Sequence, residues 1–216
     1  MTWFARLYLW ATYRLYNELV WAYDLASWLV SFGRWAGWRR RALDYLTGQR
    51  VLEVGFGTGE LLAEMARQGL NVVGLELSSP MHGLTARKLA RWGLTVPRVR
   101  GAVQAAPFAD GQFDSIVSTF PAGYILEDVS LREIARLLRV PDPASGVAGG
   151  RLIVVGMILR RESRLWTRAM GFLFGSKEDA ALDRFSRLAS GAGLQVREID
   201  PGGQGLRVPT VLAERL

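Results

Sequence analysis

"VLEVGFGTGE", residues 51–60, places three glycines at alternate positions directly after a short apolar run. Gly55, Gly57 and Gly59 can adopt positive φ and let a ligand approach the backbone closely, because glycine has no Cβ. An apolar strand, a glycine-rich turn and the start of a helix together are typical of a nucleotide cradle. The segment therefore predicts an α/β protein with a ligand at the end of its first strand.

Strand-like and helix-like segments alternate along the rest of the chain. Short apolar runs predict strands, and amphipathic stretches that end at glycine or proline predict helices. The predicted strands cover residues 50–54, 71–77, 98–103, 113–120, 150–159, 193–199 and 207–215, and the predicted helices cover residues 58–69, 79–93 and 129–140. This order predicts an α/β fold with a doubly wound, mostly parallel seven-stranded sheet and an antiparallel C-terminal hairpin. Such sheets bind ligands at the carboxyl ends of their strands.

The first 46 residues differ in character from the remainder. Residues 1–32 contain neither glycine nor proline, and six of the eight tryptophans lie within residues 1–46. We predict an N-terminal helical lid over residues 1–46 and a cofactor-binding domain over residues 47–216. Charged residues keep every apolar run short of the roughly 18 residues that a membrane span needs. Two interpretations stay open: the indole rings pack on the core and cover a pocket, or they contact a membrane surface.

Composition excludes several classes of site. The chain has no cysteine and a single histidine, His82, so disulfides, thiolate metal sites and a histidine metal cluster are excluded, and we predict no metal. A cytoplasmic location is expected. Residues 1–46 and 151–188 carry +3 and +4 of the net charge of +7, and the rest of the chain is neutral. A nucleic acid or an anionic membrane would therefore meet these two segments.

The glycine spacing distinguishes two cofactors. A dinucleotide site needs G-x-G-x-x-G, with a pyrophosphate on the helix N-terminus. Here the spacing is G-x-G-x-G, and Glu60 stands at the third glycine's position, where its charge would repel a pyrophosphate. S-adenosylmethionine has no phosphate, and its amino and sulfonium groups are cationic, so nearby Glu53 and Glu60 are tolerated or favourable.

Four segments in order resemble the class I S-adenosylmethionine-dependent methyltransferases over residues 45–215. They are "VLEVGFGTGE", "VVGLELSSPM", "PFADGQFDSIVSTF" and "LREIARLLRVPD…GGRLIVVG". The resemblance implies a Rossmann-like fold, S-adenosylmethionine as cofactor and S-adenosylhomocysteine as product. It also implies that Glu76, at the end of the second strand, binds the ribose hydroxyls.

The resemblance implies a set of cofactor contacts. They are Tyr23, Glu53, Gly55, Phe56, Gly57, Thr58, Gly59, Glu76, Leu77, Met81, Val103, Gln104 and Thr119. Phe56 either borders the methionine moiety or covers the helix start, and Leu77 and Met81 pack either on the nucleoside or in the core. Ala102 stands where the family often has an aspartate that contacts adenine, so Gln104 is the candidate replacement.

The segment "STFPAGYI" (118–125) follows the fourth strand, where this family faces the transferable methyl group. We expect Thr119, Phe120 and Tyr124 to line the acceptor pocket, with Tyr124 as the candidate catalytic hydrogen-bonding group; a packing role for Tyr124 is the alternative. Without cysteine, the covalent route to methylation at C5 of cytosine is excluded.

Two further segments suggest the class of acceptor. Residues 18–46 resemble the lid of quinone and phospholipid methyltransferases, in which a Tyr-Asp pair, here Tyr23 and Asp24, lies near the cofactor. The basic insertion 159–188 combines arginines, including Arg160 and Arg164, with apolar side chains, a mixture suited to an acidic headgroup and an apolar tail. A solvated basic helix beside a packed apolar one is the alternative interpretation.

The sequence thus predicts methyl transfer to a small lipophilic or membrane-associated acceptor, such as a quinone precursor, a phospholipid headgroup or a hydrophobic metabolite. Peripheral contact at the inner face of the membrane would accompany such an acceptor, and a nucleic-acid partner is not favoured. An RNA-directed or non-catalytic polyanion-binding protein is the alternative from another class. A nicotinamide-dependent oxidoreductase is a third, disfavoured by Glu60.

Overall fold

The computed structural model of the chain describes residues 31, 33–157, 160–161, 178–199 and 206–216. The predicted roles of Tyr23 and Arg164 fall outside the described residues, as do most of the lid and most of the basic insertion. Arg160 is described as part of a short strand only. The roles of Tyr23, Arg160 and Arg164 therefore stay predictions.

Seven strands form one sheet, as the sequence predicts. They are β1 (Arg50–Val54), β2 (Asn71–Glu76), β3 (Arg98–Arg100), β4 (Ser115–Thr119), β5 (Arg151–Val155), β7 (Leu194–Ile199) and β9 (Thr210–Arg215). Their order is β3-β2-β1-β4-β5-β9-β7. The first five are parallel, whereas β9 is antiparallel to both β5 and β7. The doubly wound, mostly parallel sheet and its antiparallel C-terminal hairpin are therefore confirmed.

Helices cover the sheet between these strands. They are α1 (Trp35–Arg40), α2 (Glu60–Arg67), α3 (Ser79–Arg91), α4 (Asp128–Leu137) and α5 (Glu178–Gly191). Short 3-10 turns follow at Arg41–Tyr45, Val103–Ala105 and Gly123–Leu126. The Ser78 hydroxyl accepts the backbone N–H of Met81, and Pro80 occupies the first turn, so α3 begins with the usual signals.

The C-terminal hairpin departs from the prediction in one respect. The predicted strand 207–215 is divided by Pro209 into β8 (Leu206–Arg207) and β9, because proline cannot donate a backbone hydrogen bond. β8 pairs with β6 (Arg160–Arg161) in a separate two-stranded sheet. The predicted strand 150–159 likewise stops at Val155, since Gly156 adopts a φ of +78°.

The side chains of the sheet bury two apolar layers, one on each face. In β1, Leu52 and Val54 belong to the layer packed under α4 and α5, whereas Val51 belongs to the layer packed under α1 and α2. This alternation is the two-residue period of a strand. Trp38 and Ala42 are buried in the second layer, so the described end of the N-terminal segment packs on the core. Within the part of the chain that is described, no helix is both long and apolar enough to cross a membrane.

Candidate functional site

The carboxyl ends of β1, β2, β4 and β5 meet at one edge of the sheet, and the glycine loop lies there. Gly55, Gly57 and Gly59 have φ values of 72°, 51° and 76°, a region that L-residues with side chains rarely adopt. The Thr85 hydroxyl, from α3, donates a 2.8 Å hydrogen bond to the Gly57 carbonyl. Thr58 is buried within the loop. The three glycines therefore permit the loop conformation, and the hydrogen bond from Thr85 of α3 stabilises it.

Glu76 ends β2 beside this loop, and its carboxylate is almost buried. One oxygen accepts the backbone N–H of Gly57 at 3.0 Å, and the other accepts the N–H of Ser78 at 2.8 Å. A carboxylate oxygen can accept two hydrogen bonds, so each oxygen keeps capacity for one more donor. Two adjacent hydroxyl groups are donors that suit this arrangement.

Glu53 lies one residue before the end of β1, with 2% of its surface exposed. Its Oε2 atom has no hydrogen-bond partner among the described residues. Burial raises the pKa of this carboxyl to about 8; the charge of Arg39 opposes the rise and that of Glu76 adds to it. A buried polar atom without a partner is costly, and it is expected where a ligand supplies the missing donor.

Three apolar candidates are placed differently around the loop. The Phe56 ring is 4% exposed, covers Gly74 of β2 and meets the His82 ring edge-on at 4.9 Å. Met81 is fully buried, and Leu77 is 64% exposed. The Phe56 ring thus packs between Gly74 of β2 and His82 of α3. Contact of any of the three with a cofactor remains a prediction.

The segment after β3 carries the proposed adenine contacts. The Val103 side chain is buried in the core with Leu75. The Gln104 amide nitrogen donates to the Glu127 carboxylate at 2.8 Å, which fixes the side chain and leaves its amide oxygen as an acceptor. The Gln104 amide oxygen can therefore accept a hydrogen bond from the exocyclic amino group of adenine, in place of the aspartate that the family often has at the position of Ala102.

Tyr124 turns toward the glycine loop. Its hydroxyl lies 2.7 Å from the Ser118 hydroxyl and 3.3 Å from the Val54 carbonyl oxygen, and it stands over Gly55 at the place a Cβ would need. Burial raises the pKa of the phenol above its usual range, with the Ser118 hydrogen bond opposing. The hydroxyl is neutral and already bonded within the protein, and its action on an acceptor stays a prediction.

Phe120, directly after β4, is the one described non-glycine residue with positive φ, at 49°. Its ring stacks on Trp35 of α1 at 3.7 Å and 18°, lies 6.3 Å from the Trp38 ring, and fills the space beside Gly156. Strained backbone of this kind persists where the surroundings fix it, and it clusters at functional sites. The ring therefore joins the N-terminal segment to the predicted acceptor side, next to half-buried Thr119.

Sequence reasoning missed two residues of this edge. Ser118 donates to the Val54 carbonyl at 3.1 Å and bonds Tyr124, and the alternation along β4 was the signal available for it. The charge of Arg39, on α1, acts to lower the pKa of Glu53, and no sequence motif singles Arg39 out. Among the described residues, no group of three or more acidic or histidine side chains is placed to hold a metal ion.

Comparison with known proteins agrees with this geometry. Residues 51–140 match the model of a methyltransferase domain family. A demethylmenaquinone methyltransferase of Thermus thermophilus is 34% identical over 146 residues, covering 65% of this chain and 63% of that protein. A ubiquinone/menaquinone biosynthesis C-methyltransferase of Geobacter sulfurreducens is 30% identical over 168 residues, covering 74% of this chain and 62% of that protein. The chain thus spans less than two thirds of the length of these relatives.

A solved structure extends the likeness of the fold. It is a SAM-dependent methyltransferase of Thermotoga maritima, which superposes with a TM-score of 0.64 at 17% identity, covering 94% of this chain and 99% of that one. The Rossmann-like fold is confirmed by this neighbour. The glycine loop, the matched domain and the fold all resemble those of S-adenosylmethionine-dependent methyltransferases.

Proposed function

We propose that this protein transfers a methyl group from S-adenosylmethionine to a small lipophilic acceptor of the quinone-precursor class. The main support for this cofactor is the hydrogen bond between the Glu76 carboxylate and the backbone N–H of Gly57. It holds the carboxylate beside a loop of positive-φ glycines, and each carboxylate oxygen can accept one more hydrogen bond. The two ribose hydroxyls would occupy those positions. Leu77 and Gln104 would then lie on the nucleoside side, and Glu53 on the side of the methionine moiety.

The residues present fit this cofactor. Glu53 is buried with an orphaned oxygen, which an ammonium donor would satisfy. A Cβ at Gly55 would meet the Tyr124 hydroxyl, and the backbone there has positive φ, so this position of the loop requires glycine. The bound cofactor supplies a methyl group that is already activated by its sulfonium. The protein then has to orient the acceptor in line with this methyl group at near-attack distance and exclude water.

The acceptor side favours an apolar, planar compound. Phe120, Trp35 and Trp38 form an aromatic wall beside Thr119, and aromatic faces bind planar rings well. One of the two relatives is named a demethylmenaquinone methyltransferase, and the other a ubiquinone/menaquinone biosynthesis C-methyltransferase. We further propose a cytoplasmic enzyme that meets its acceptor at the inner face of the membrane, with Arg160, Arg164 and the Trp-rich segment 1–46 on the acceptor side.

Two measurements test the proposal. Isothermal titration should give a dissociation constant for S-adenosylhomocysteine and no binding of NAD. Transfer of radiolabelled methyl into an organic extract should follow when a demethylated menaquinone is added, and no label should enter RNA offered in the same buffer. Label in RNA, or binding of NAD alone, would refute the proposal.

A matched pair of variants ties the result to the site. Glu76→Gln removes the negative charge that would accept hydrogen bonds from the ribose hydroxyls. It should weaken the binding of S-adenosylhomocysteine by at least about tenfold. Glu214→Gln makes the same chemical change at the opposite edge of the sheet, where Glu214 pairs with Arg151, and should leave the affinity within about twofold.

A further inference from the structure

A long stretch without acidic residues lies between the second strand and the fourth. Residues 77–109 contain five basic side chains and no aspartate or glutamate, so the charge balance outside the two basic segments hides a local excess. The five are Arg87, Lys88, Arg91, Arg98 and Arg100. Lys88 pairs with Glu60 of α2. The four arginines belong to α3 and β3, and we call the surface that they form the α3–β3 face.

The arginines of the α3–β3 face differ from many others in the described chain. Six arginines elsewhere pair with a carboxylate, namely Arg40, Arg50, Arg132, Arg136, Arg139 and Arg151. Arg87, Arg91 and Arg98 make no ion pair with the described residues, and the Nε atom of Arg98 is buried without a partner among them. Arg100 donates a long hydrogen bond of 3.4 Å to the Leu77 carbonyl. The positive charge of this face is therefore uncompensated within the described part of the chain.

Helix α3 and strand β3 bring these arginines to one side of the molecule. β3 stands at the end of the sheet, paired with β2, and the His82 ring of α3 lies 3.0 Å from the Val99 carbonyl oxygen. Val99 packs toward the layer under α4 and α5, so the arginines on either side of it point to the face of the sheet that α3 covers. On α3 itself, Arg87 and Arg91 are exposed and one turn apart.

This arrangement of like charges is unfavourable for the isolated protein. Two cations at positions i and i+4 of a helix repel each other, and no acidic side chain of residues 77–109 separates Arg87 from Arg91. The exposed neighbours on the same side of α3 are the small residues Gly83 and Ala90, which leave the guanidinium groups accessible. Such a surface is complementary in charge to an extended anionic partner.

Two kinds of polyanion suit such a surface, and the structure favours a membrane. Proteins that bind single-stranded RNA combine a basic groove with aromatic rings on which bases stack. Trp92, at the end of α3, is half-buried, with the cations of Arg67 and Lys88 over its ring at 5.0 and 5.4 Å. No aromatic side chain is exposed anywhere in residues 77–109, all of which are described. A lipid surface needs no such stacking, since its anionic headgroups attract basic side chains electrostatically.

We propose that the α3–β3 face binds anionic phospholipid headgroups at a membrane surface. The choice of a membrane rests on the proposed function, because a lipophilic acceptor partitions into lipid. Helices α1, α2 and α3 cover the same face of the sheet, since Trp38, Leu61 and Leu89 belong to one apolar layer. The described end of the Trp-rich segment and the arginines therefore lie on one side of the sheet.

Co-sedimentation with lipid vesicles tests the proposal. Vesicles of phosphatidylglycerol and phosphatidylcholine in equal amounts supply an anionic surface, and vesicles of phosphatidylcholine alone supply a neutral one. The variant Arg87→Gln/Arg91→Gln should bind the anionic vesicles about 25-fold more weakly than the unaltered protein, since each basic residue near such a surface contributes about fivefold. Ala90→Arg, which adds a cation at an exposed position of α3, should bind them about fivefold more tightly.

Arg184→Gln/Arg187→Gln is the matched control. Both arginines are exposed on α5, which packs on the opposite face of the sheet through Phe185 and Ala189. This variant loses the same charge and should keep its affinity for anionic vesicles within about twofold, because charges far from the lipid are screened by salt. All three variants should bind S-adenosylhomocysteine as the unaltered protein does, which shows that they are folded.

Several results would overturn the inference. Equal weakening by the two double variants would show that only the net charge matters. Failure of the unaltered protein to bind anionic vesicles, or equal binding to neutral ones, would exclude an electrostatic contact with lipid. Tighter binding of single-stranded RNA, lost in Arg87→Gln/Arg91→Gln, would identify a nucleic acid as the partner instead. If the unaltered protein did not bind S-adenosylhomocysteine, the proposed function itself would fail, an outcome that vesicle binding does not affect.

Discussion

Thr85 supports the glycine loop from outside, donating a 2.8 Å hydrogen bond to the Gly57 carbonyl while its methyl group fills the place that a Cβ on Gly59 would need. Gly59→Ala should therefore clash with Thr85 and also force a side chain into the left-handed region. We expect the free energy of unfolding to fall by about 2 kcal/mol or more, with a matching loss of S-adenosylhomocysteine affinity. Urea denaturation and titration calorimetry would measure both.

Gly83→Ala is the control for that substitution. Gly83 lies in the interior of α3 with nothing within 4 Å of the position of an added Cβ. Alanine there should stabilise the protein by about 0.5–1 kcal/mol, because it reduces the entropy of the unfolded chain. Equal effects of the two alanine variants would contradict the packing described around Gly59.

The raised pKa of Glu53, about 8, predicts an unusual dependence of stability on pH. From its ordinary pKa of 4.5 up to about 8, the native state keeps a proton that the unfolded state has released. The free energy of unfolding should then decrease as the pH rises through this window and level off above it. Glu53→Gln has no proton to exchange, so it should flatten this decrease, by an amount on the order of a few kcal/mol at most.

Urea denaturation at several pH values between about 5 and about 8 would measure this difference. Glu214→Gln, which changes a partly buried carboxyl at the far edge of the sheet, should keep the slope of the unaltered protein. A Glu53→Gln variant with that same slope would show that the Glu53 carboxyl is ionised in the native state.

The lowered pKa of Asp114 predicts the opposite dependence at acidic pH, a free energy of unfolding that increases as the pH rises. Burial acts to raise its pKa, but hydrogen bonds from the Arg50 side chain and from the backbone of Arg50 and Gln49 outweigh it and lower the pKa to about 2. Arg139 adds a bond of 2.7 Å. The stabilisation is therefore present above the ordinary pKa of 3.8 and is lost as the pH falls toward 2.

Asp114→Asn should lower the free energy of unfolding by roughly 1–3 kcal/mol at neutral pH, and the difference should shrink on acidification. Because Asp114 precedes β4, at the edge opposite the glycine loop, S-adenosylhomocysteine affinity should not change. A change in affinity with unaltered stability would refute its structural role.

The roles of Tyr124 and Ser118 can be distinguished by removing each hydroxyl group in turn. Tyr124→Phe and Ser118→Ala each remove one side of the 2.7 Å contact between them, and each should cost about 1 kcal/mol of stability. If the phenol also serves the acceptor, only Tyr124→Phe should lower kcat while S-adenosylhomocysteine affinity is kept. Full methyl-transfer activity in both Tyr124→Phe and Tyr124→Ala would show that the predicted catalytic role is wrong.

The strands and the doubly wound class of the sheet could be predicted because they depend on local patterns. The apolar runs and the glycines at their ends identify each strand, and the alternation of strands with helices indicates a mostly parallel sheet. Helix α2 begins at Glu60 instead of Thr58, since Gly59 adopts the left-handed region immediately before it. Boundaries of this kind depend on one dihedral angle, which a pattern does not specify.

Side-chain directions at the site could not be predicted in the same way. The sequence predicts that the charge of Glu60 opposes a pyrophosphate, yet Lys88 from α3 pairs with Glu60 and balances that charge. The spacing of the glycines is therefore the stronger argument against a dinucleotide. Phe56 turns under the loop because Gly74 in β2 leaves room for its ring. The charge of Arg39, on α1, opposes the rise in the pKa of Glu53, a tertiary relationship with no local signal in the sequence.

The stack of Trp35 on Phe120 has a consequence for how the chain can be divided. A fragment beginning at residue 47 would leave the Phe120 ring without its partner and would strip Trp38 and Ala42 from the apolar layer that holds Val51 and Leu212. Helix α1 is therefore inseparable from the folding unit of the sheet, whatever lies before it. In native-state hydrogen–deuterium exchange, the amides of α1 and β1 should therefore open together, as one cooperative unit. A fragment designed as a minimal folded domain should begin before Trp35.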